Sequence, residues 1–174
     1  LIKEEIEKAK AGEETSIFLK MNSLTDRQLI DALKEASQAG VKIKMIIRGI
    51  CCILPGIEGK TDNIEAISVV GRFLEHSRIF CFGTGENMKM YIASADWMTR
   101  NTENRVEIAA PIYDQKIKNS IYDTLRIMWK DNLKARILCS DGTYKKPEIK
   151  EGDELIDCQN YLRHEYKVGR KIKL

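Results

Sequence analysis

The segment that decides the fold extends from Ser16 to Gly49 and reads SIFLKMNSLTDRQLIDALKEASQAGVKIKMIIRG. Two short runs of apolar residues, at 16–21 and 41–47, predict β-strands. Apolar residues between these runs recur at helical spacing, and a hydroxyl residue, Thr25 or Ser23, is the predicted N-cap of that helix. A strand, a helix and a strand in this order predict two parallel strands joined by a right-handed crossover.

A polar residue follows each of these predicted strands. Asn22 comes directly after the first strand, and Arg48 comes directly after the second. In open sheets with parallel strands, ligands bind outside the carboxyl ends of the strands. We therefore expect Asn22 and Arg48 to face the same crevice.

The rest of the chain predicts further elements of one domain that spans residues 1–174. These elements are a helix at 1–11, strands at 64–70, 106–110 and 134–138, a hairpin of strands at 77–82 and 89–94, and helices at 114–130 and 159–166. The strand at 106–110 is expected to end before Pro111. The predicted fold class is α/β, a mixed β-sheet flanked by helices in a single domain.

Length and composition are typical of a folded globular protein. The chain has 174 residues, of which 43% are hydrophobic and 32% are charged, and its net charge is +3, so it can bury a sizeable core. No apolar run approaches the roughly 20 residues that span a bilayer, which argues against a membrane-spanning helix. The chain begins without methionine, inside a predicted helix, so we expect a fragment of a longer chain.

The cysteines and histidines predict no metal site in this chain. The five cysteines form no CxxC pair and the chain shows no secretion signal, so we expect reduced thiols in a cytoplasmic protein. Neither His76 nor His164 lies at ligand spacing from a cysteine. His164 is predicted on the surface of the last helix. The cysteines are Cys51, Cys52, Cys81, Cys139 and Cys158.

Arginines surround the other histidine at the predicted strand ends, in an arrangement that favours phosphate chemistry. The arginine fork pairs two phosphate oxygens at once, and histidine exchanges a proton near neutral pH. Spacing alone leaves three of these arginines open between a phosphate contact and a solvated side chain: Arg72, Arg100 and Arg105. The full set at strand ends or in adjoining loops is Arg48, Arg72, His76, Arg78, Arg100 and Arg105.

Two short motifs resemble the phospholipase D superfamily pattern, HxKxxxxD followed by GSxN. They begin at His76 and at Ala93, and they depart from the pattern at three positions. Arg78 stands in place of the lysine, Gly83 in place of the aspartate and Asp96 in place of the asparagine. The resemblance implies a phospholipase-D-like fold, and the departures argue against an ordinary phosphodiesterase.

Four blocks together resemble the C-terminal catalytic domain of polyphosphate kinase. The blocks are KMNSL at 20–24, IRGICC at 47–52, GRFLEHSRI at 71–79 and SADWM at 94–98. The resemblance implies a transferase, a kinase that moves the terminal phosphate of ATP reversibly to inorganic polyphosphate. In this family a phosphohistidine forms in a preceding catalytic domain, which this chain lacks, so we expect the isolated fragment to be inactive or weakly active.

The resemblance also implies roles for individual residues. His76 is expected to be catalytic and, with Arg48, to bind the phosphates of ATP. Whether His76 acts as an acid or as a positioning group stays open at this point. Additional phosphate contacts are expected from residues at neighbouring strand ends: Asn22, Arg72, Arg78 and Ser94.

Further expectations concern ligands and partners. Mg is expected for the whole enzyme, with no ligand in this fragment. The expected partners are ATP or ADP, inorganic polyphosphate and the other domains of the same enzyme, with no nucleic acid. The full-length enzyme is expected to be a homo-oligomer in the cytoplasm, associated peripherally with the inner membrane.

Two alternative functions remain at this level. One is a phospholipase-D-like phosphodiesterase that acts on nucleic acid or lipid, although Arg78 replaces the lysine of its motif. The other is a noncatalytic assembly domain, in which the predicted helix at 114–130 would contribute to oligomer contacts.

Overall fold

The strand–helix–strand unit predicted from the segment 16–49 lies at the centre of the sheet. The computed structural model describes residues 1–168. Its helices and strands are α1 Ile2–Lys10, β1 Ser16–Met21, α2 Arg27–Gln38, β2 Lys42–Ile47, β3 Ile64–Val69, β4 Ile79–Phe82, β5 Lys89–Ala93, α3 Thr99–Asn104, β6 Ala109–Ile112, α4 Gln115–Trp129, β7 Ala135–Leu138, β8 Tyr144–Lys145 and α5 Cys158–Lys167.

These strands form one mixed sheet in the order β6-β5-β4-β1-β2-β3-β7-β8. β1, β2 and β3 are parallel neighbours, and the strands on either side of them pair antiparallel. Ser16 pairs with Lys42 and Met21 with Ile47, so β1 and β2 end at the same level. The predicted mixed α/β sheet in one domain is therefore confirmed.

Helices cover both faces of the sheet because side chains of a strand alternate between its faces. On one face, Ile17 and Leu19 of β1 belong to the core that includes residues of α1 and α2. On the other face, Phe18 belongs to the core that includes residues of α4 and α5. Lys20 follows Phe18 by two positions, so it is on the face that α5 covers.

Helix α2 begins at Arg27, later than either predicted N-cap implies. Asp26, and not Thr25 or Ser23, is its N-cap, because the Asp26 carboxylate accepts a hydrogen bond from Leu29 N at 3.0 Å. The backbone N–H groups of Thr25 and Asp26 both donate to Trp97 O, which fixes the chain in an extended conformation just before the helix. A carboxylate at this position also interacts favourably with the helix dipole.

The region between β5 and α4 differs most from the prediction. The strand predicted at 106–110 is wrong at both ends, since β6 begins at Ala109 and includes Pro111. A proline is tolerated there because β6 is an edge strand, with β5 as its one neighbour in the sheet. The short helix α3 was not predicted, and Arg100 lies on it with Arg105 as its C-cap, so neither arginine ends a strand.

The remaining predicted elements are present, with ends that differ by one or two residues. Within residues 1–168, no helix combines the length and the hydrophobicity that crossing a membrane requires.

Candidate functional site

The ends of β1 and β2 bring Asn22 and Arg48 together, as the strand order predicts. Arg48 Nε donates a hydrogen bond to Asn22 Oδ1 at 2.6 Å. The backbone is also close here, since Gly49 N donates to Asn22 O at 2.8 Å. A Cβ on Gly49 would lie only 2.8 Å from Asn22 O, so a glycine permits this approach.

His76 lies beside Arg48 at the same edge of the sheet. It belongs to the loop of residues 70–78, which connects β3 to β4 and contains no helix or strand. His76 Nδ1 is 3.4 Å from Arg48 Nη2. A guanidinium has only donors, so Nδ1 is the acceptor and Nε2 carries the proton of the neutral ring. The exposed imidazole therefore has a donor available for an anion.

Arg78 and Asp96, two of the departures from the phospholipase D motifs, bind each other. Arg78 Nε donates to Asp96 Oδ1 at 3.2 Å, and Nη2 donates to Oδ2 at 3.0 Å. Asp96 Oδ1 also accepts a hydrogen bond from Asn22 N at 2.7 Å. The arginine that replaces lysine is thus matched by the aspartate that replaces asparagine. Because Asp96 neutralises the charge of Arg78, Arg78 attracts a phosphate less strongly than Arg48 does.

The surroundings of Asp96 favour its ionised form. Burial opposes ionisation, but hydrogen bonds from Arg78 and from Asn22 outweigh it and hold the pKa of Asp96 below its ordinary value. The carboxylate therefore fixes both Asn22 and Arg78 at neutral pH. In the described part of the chain, no carboxylate lies within ion-pair distance of Arg48.

Arg72 and Ser94 lie at the margins of this site. Arg72 and Arg48 line the same cavity of about 280 Å³, and the Arg72 guanidinium carbon is 5.6 Å from the centre of the Phe73 ring. The Ser94 hydroxyl donates a short hydrogen bond to Glu107, and its oxygen accepts one from Ile108 N at 3.0 Å. Ser94 therefore connects the end of β5 to the segment before β6.

Lys20 is a charged residue of this site that the sequence prediction did not include. It is 2% exposed, and Nζ donates to Ser77 O at 3.2 Å and lies 3.7 Å from Glu75 Oε2. Burial lowers the pKa of Lys20, and the charge of Glu75 opposes that change. A single lysine in the apolar strand SIFLKM was the available signal.

The arrangement is suited to binding an anion. Arg48 and Arg72 line one cavity, and His76 offers a further donor, so a phosphate chain would find both charge and hydrogen bonds. Within residues 1–168, no group of three or more His, Cys, Asp and Glu side chains is placed to hold a metal ion.

Known proteins similar to this chain are polyphosphate kinases. The family model for polyphosphate kinase C-terminal domain 2 matches residues 1–159. The polyphosphate kinase of Thermosynechococcus vestitus is 50% identical over 153 residues, which are 88% of this chain and 21% of that protein. The crystal structure of polyphosphate kinase from Porphyromonas gingivalis has a TM-score of 0.91 and 38% identity over 97% of this chain and 26% of that chain.

A second similarity concerns the fold alone. Nuc from Salmonella typhimurium, a phospholipase D family member, matches 82% of this chain and 89% of its own with a TM-score of 0.52 and 16% identity. The predicted phospholipase-D-like fold class is therefore confirmed. The chain spans 21% to 26% of the two similar polyphosphate kinases.

Proposed function

Because the chain belongs to the polyphosphate kinase family, we propose that it contributes one half of an active site for reversible phosphate transfer between ATP and inorganic polyphosphate. The observation that carries this proposal is Arg48, a guanidinium without a carboxylate partner among the described residues, 3.4 Å from the exposed His76. A phosphoryl group in transfer requires such positioned cations and donors.

In the proposed reaction, a histidine nitrogen of the preceding catalytic domain attacks the terminal phosphorus of ATP. The bond from that phosphorus to the bridging oxygen breaks and ADP leaves. The terminal oxygen of polyphosphate then attacks the phosphohistidine, and the phosphorus–nitrogen bond breaks. Arg48 neutralises phosphate charge during both steps, while His76 donates a hydrogen bond from Nε2 to a phosphate oxygen.

The remaining predicted residues have supporting roles in this proposal. Asn22 and Arg78 are already bound to Asp96, so we propose that their first role is to fix the shape of the crevice. We propose that both also contact phosphate at the rim of the crevice. Arg72 extends the positive surface along the phosphate chain. Among residues 1–168 no group of three or more His, Cys, Asp and Glu side chains is placed to hold a metal ion, and we propose that residues of other domains hold the Mg expected for the whole enzyme.

The wider setting is also a proposal. ATP or ADP, inorganic polyphosphate and the other domains of the enzyme are the proposed partners, and the whole enzyme is proposed to be a cytoplasmic homo-oligomer and a phosphoprotein. The family supports the substrates.

A chimeric enzyme tests the proposal. This chain replaces the matching region of the Thermosynechococcus vestitus polyphosphate kinase, and ATP formation from ADP and polyphosphate is measured. We expect Arg48→Ala and His76→Ala each to lower the rate about 100-fold, the usual cost of losing a group that stabilises transition-state charge. Arg27→Ala, at an arginine of α2 that is 94% exposed, is the control and should keep the rate.

Wild-type rates in both variants would contradict the proposal. A second experiment assays the 174-residue chain alone, so it does not depend on the folding of the chimera. Vigorous ATP formation by the chain alone would contradict a nucleophile supplied by another domain. Hydrolysis of a generic phosphodiester by the chain alone would favour the phosphodiesterase alternative.

A further inference from the structure

A group of three polar side chains holds the loop that carries His76. The group consists of Lys20, Glu75 and Gln159, and we call it the loop anchor. The loop, residues 70–78, has no helix or strand of its own. Side-chain contacts therefore contribute to its conformation, and the loop anchor provides several of the polar ones.

Gln159 of α5 binds the loop through both ends of its amide. Phe73 N donates to Gln159 Oε1 at 2.9 Å, while Gln159 Nε2 donates to Phe73 O at 2.8 Å and to Glu75 Oε1 at 3.0 Å. Gln159 is 6% exposed, and its contacts with the loop are partly buried. The side chain thus pairs with the loop backbone as a neighbouring strand would.

Gly71 makes room for this contact. A Cβ at Gly71 would lie 2.4 Å from Gln159 Oε1 and 2.8 Å from its side-chain amide carbon. Real Cβ atoms do not approach other atoms this closely. Gly71 and Gln159 are therefore fitted to each other.

Lys20 fixes the chain on both sides of His76. Nζ faces the Glu75 carboxylate at 3.7 Å and donates to Ser77 O at 3.2 Å. Glu75 precedes His76 and Ser77 follows it. Glu75 also joins Lys20 of β1 to Gln159 of α5, since one oxygen contacts each. Arg78 adds a hydrogen bond to His76 O at 3.1 Å.

The position of Gln159 is itself fixed by the start of α5. Asp157 is the N-cap, and its carboxylate accepts from Asn160 N. Cys158 N donates to the buried Asp131 Oδ2 at 2.8 Å. Gln159 therefore extends from a helix end that is tied to the segment after α4.

We propose that Gln159 and Lys20 are positioning residues for His76. Helix α5 therefore belongs to the phosphate site, although Gln159 is 84 to 86 residues away in sequence from the loop residues that it contacts. The inference rests on the proposed function in one respect, that Arg48 and His76 bind a phosphate chain. The loop anchor keeps His76 Nδ1 against Arg48, and thereby presents Nε2 to the phosphate.

The test compares the same chemical change at two glutamines of the 174-residue chain. Gln159→Met keeps a similar side-chain length and removes the hydrogen bonds. Gln38→Met is the control, because Gln38 Nε2 donates to Gly59 O, in a different loop. Three quantities are measured: the Kd for tripolyphosphate by calorimetry, the His76 Hε1 resonance without ligand, and the melting temperature.

We expect Gln159→Met to raise the Kd about tenfold. This is roughly the effect on affinity of losing the net free energy of one hydrogen bond that orders the loop. The ligand-free His76 resonance should shift towards its position in Arg48→Ala, where the contact to Nδ1 is absent. Gln38→Met should leave both unchanged. Gly71→Ala displaces Gln159 without removing it, so it should produce both effects as well. It replaces Gln159→Met in the test if that variant fails to fold.

An unchanged His76 resonance together with a wild-type Kd in folded Gln159→Met or Gly71→Ala would overturn the inference. Failure of the wild-type chain to bind tripolyphosphate would instead contradict the proposed function. In that event the ligand-free resonance still decides the inference, because it reports the contact between His76 and Arg48 directly.

Discussion

At the scale of single residues, the pairing of Arg78 with Asp96 decides which cations remain available for a ligand. Asp96 neutralises Arg78 and fixes Asn22, while Arg48 has no carboxylate partner among residues 1–168. The phospholipase D pattern has a lysine and an asparagine at the two paired positions. The two replacements complement each other in charge and in hydrogen bonding.

The ionisation of Asp96 makes the free energy of unfolding depend on pH. The folded-state pKa of Asp96 is below its ordinary value, so its ionised form stabilises the fold above the ordinary aspartate pKa of about 4. This contribution is lost as the pH falls through the folded-state pKa. We expect Asp96→Asn to lower the free energy of unfolding by about 2 kcal/mol near neutral pH, because the partly buried Arg78 loses its charged partner.

Urea unfolding at several pH values measures this effect. The difference between wild type and Asp96→Asn should be largest near neutral pH and should shrink below about pH 4. A difference that stays constant down to the acid limit of the folded protein would show that Asp96 acts without ionising, contrary to the prediction.

At the scale of elements, Asp131 joins α4, β7 and α5. It is 2% exposed, and Oδ1 accepts from Leu133 N, Lys134 N and Ala135 N, while Oδ2 accepts from Cys158 N. One carboxylate therefore organises both the turn after α4 and the start of α5. Through α5 it also determines where Gln159 meets the loop of His76.

We predict that Asp131→Ala lowers the free energy of unfolding by about 3 kcal/mol, because several buried N–H groups lose their acceptor at once. Asp141→Ala is the matched control, since Asp141 also accepts from a backbone N–H but lies in an exposed turn. It should cost less than about 1 kcal/mol. Equal losses in the two variants, measured by urea unfolding, would contradict the role assigned to Asp131.

Elements with a strong periodic pattern could be predicted from the sequence, and elements defined by distant contacts could not. β1, α2 and β2 follow from hydrophobic periodicity and a short crossover. The N-cap Asp26 was missed because Trp97, far along the chain, fixes the backbone before it. The edge strand β6 was misplaced because its pairing with β5 permits Pro111.

At the scale of the whole molecule, the site is assembled from five separate regions of the chain: the ends of β1 and β2, the loop 70–78, the segment after β5 and the start of α5. Asn22, Arg48 and His76 were predictable because each lies at a strand end or next to one. Lys20 and Gln159 were not, because their contacts to the loop span 55 to 86 residues. Nothing in the local sequence around Gln159 indicates that its side chain pairs with Phe73.

The share of its relatives that the chain spans bears on what it can do alone. It spans 21% of the Thermosynechococcus vestitus relative, and its described residues offer cations and donors for phosphate at one sheet edge. We therefore expect this chain to bind phosphate at Arg48 and His76 without turnover.

The most direct test follows the two histidines of the chain by NMR while tripolyphosphate is added. His164 is an internal reference, since it is exposed on α5. We predict that the His76 Hε1 resonance shifts along a saturable curve, that the His164 resonance does not shift, and that Arg48→Ala weakens the binding about tenfold or more. A His76 resonance that does not move, or that moves equally with and without Arg48, would contradict the claim.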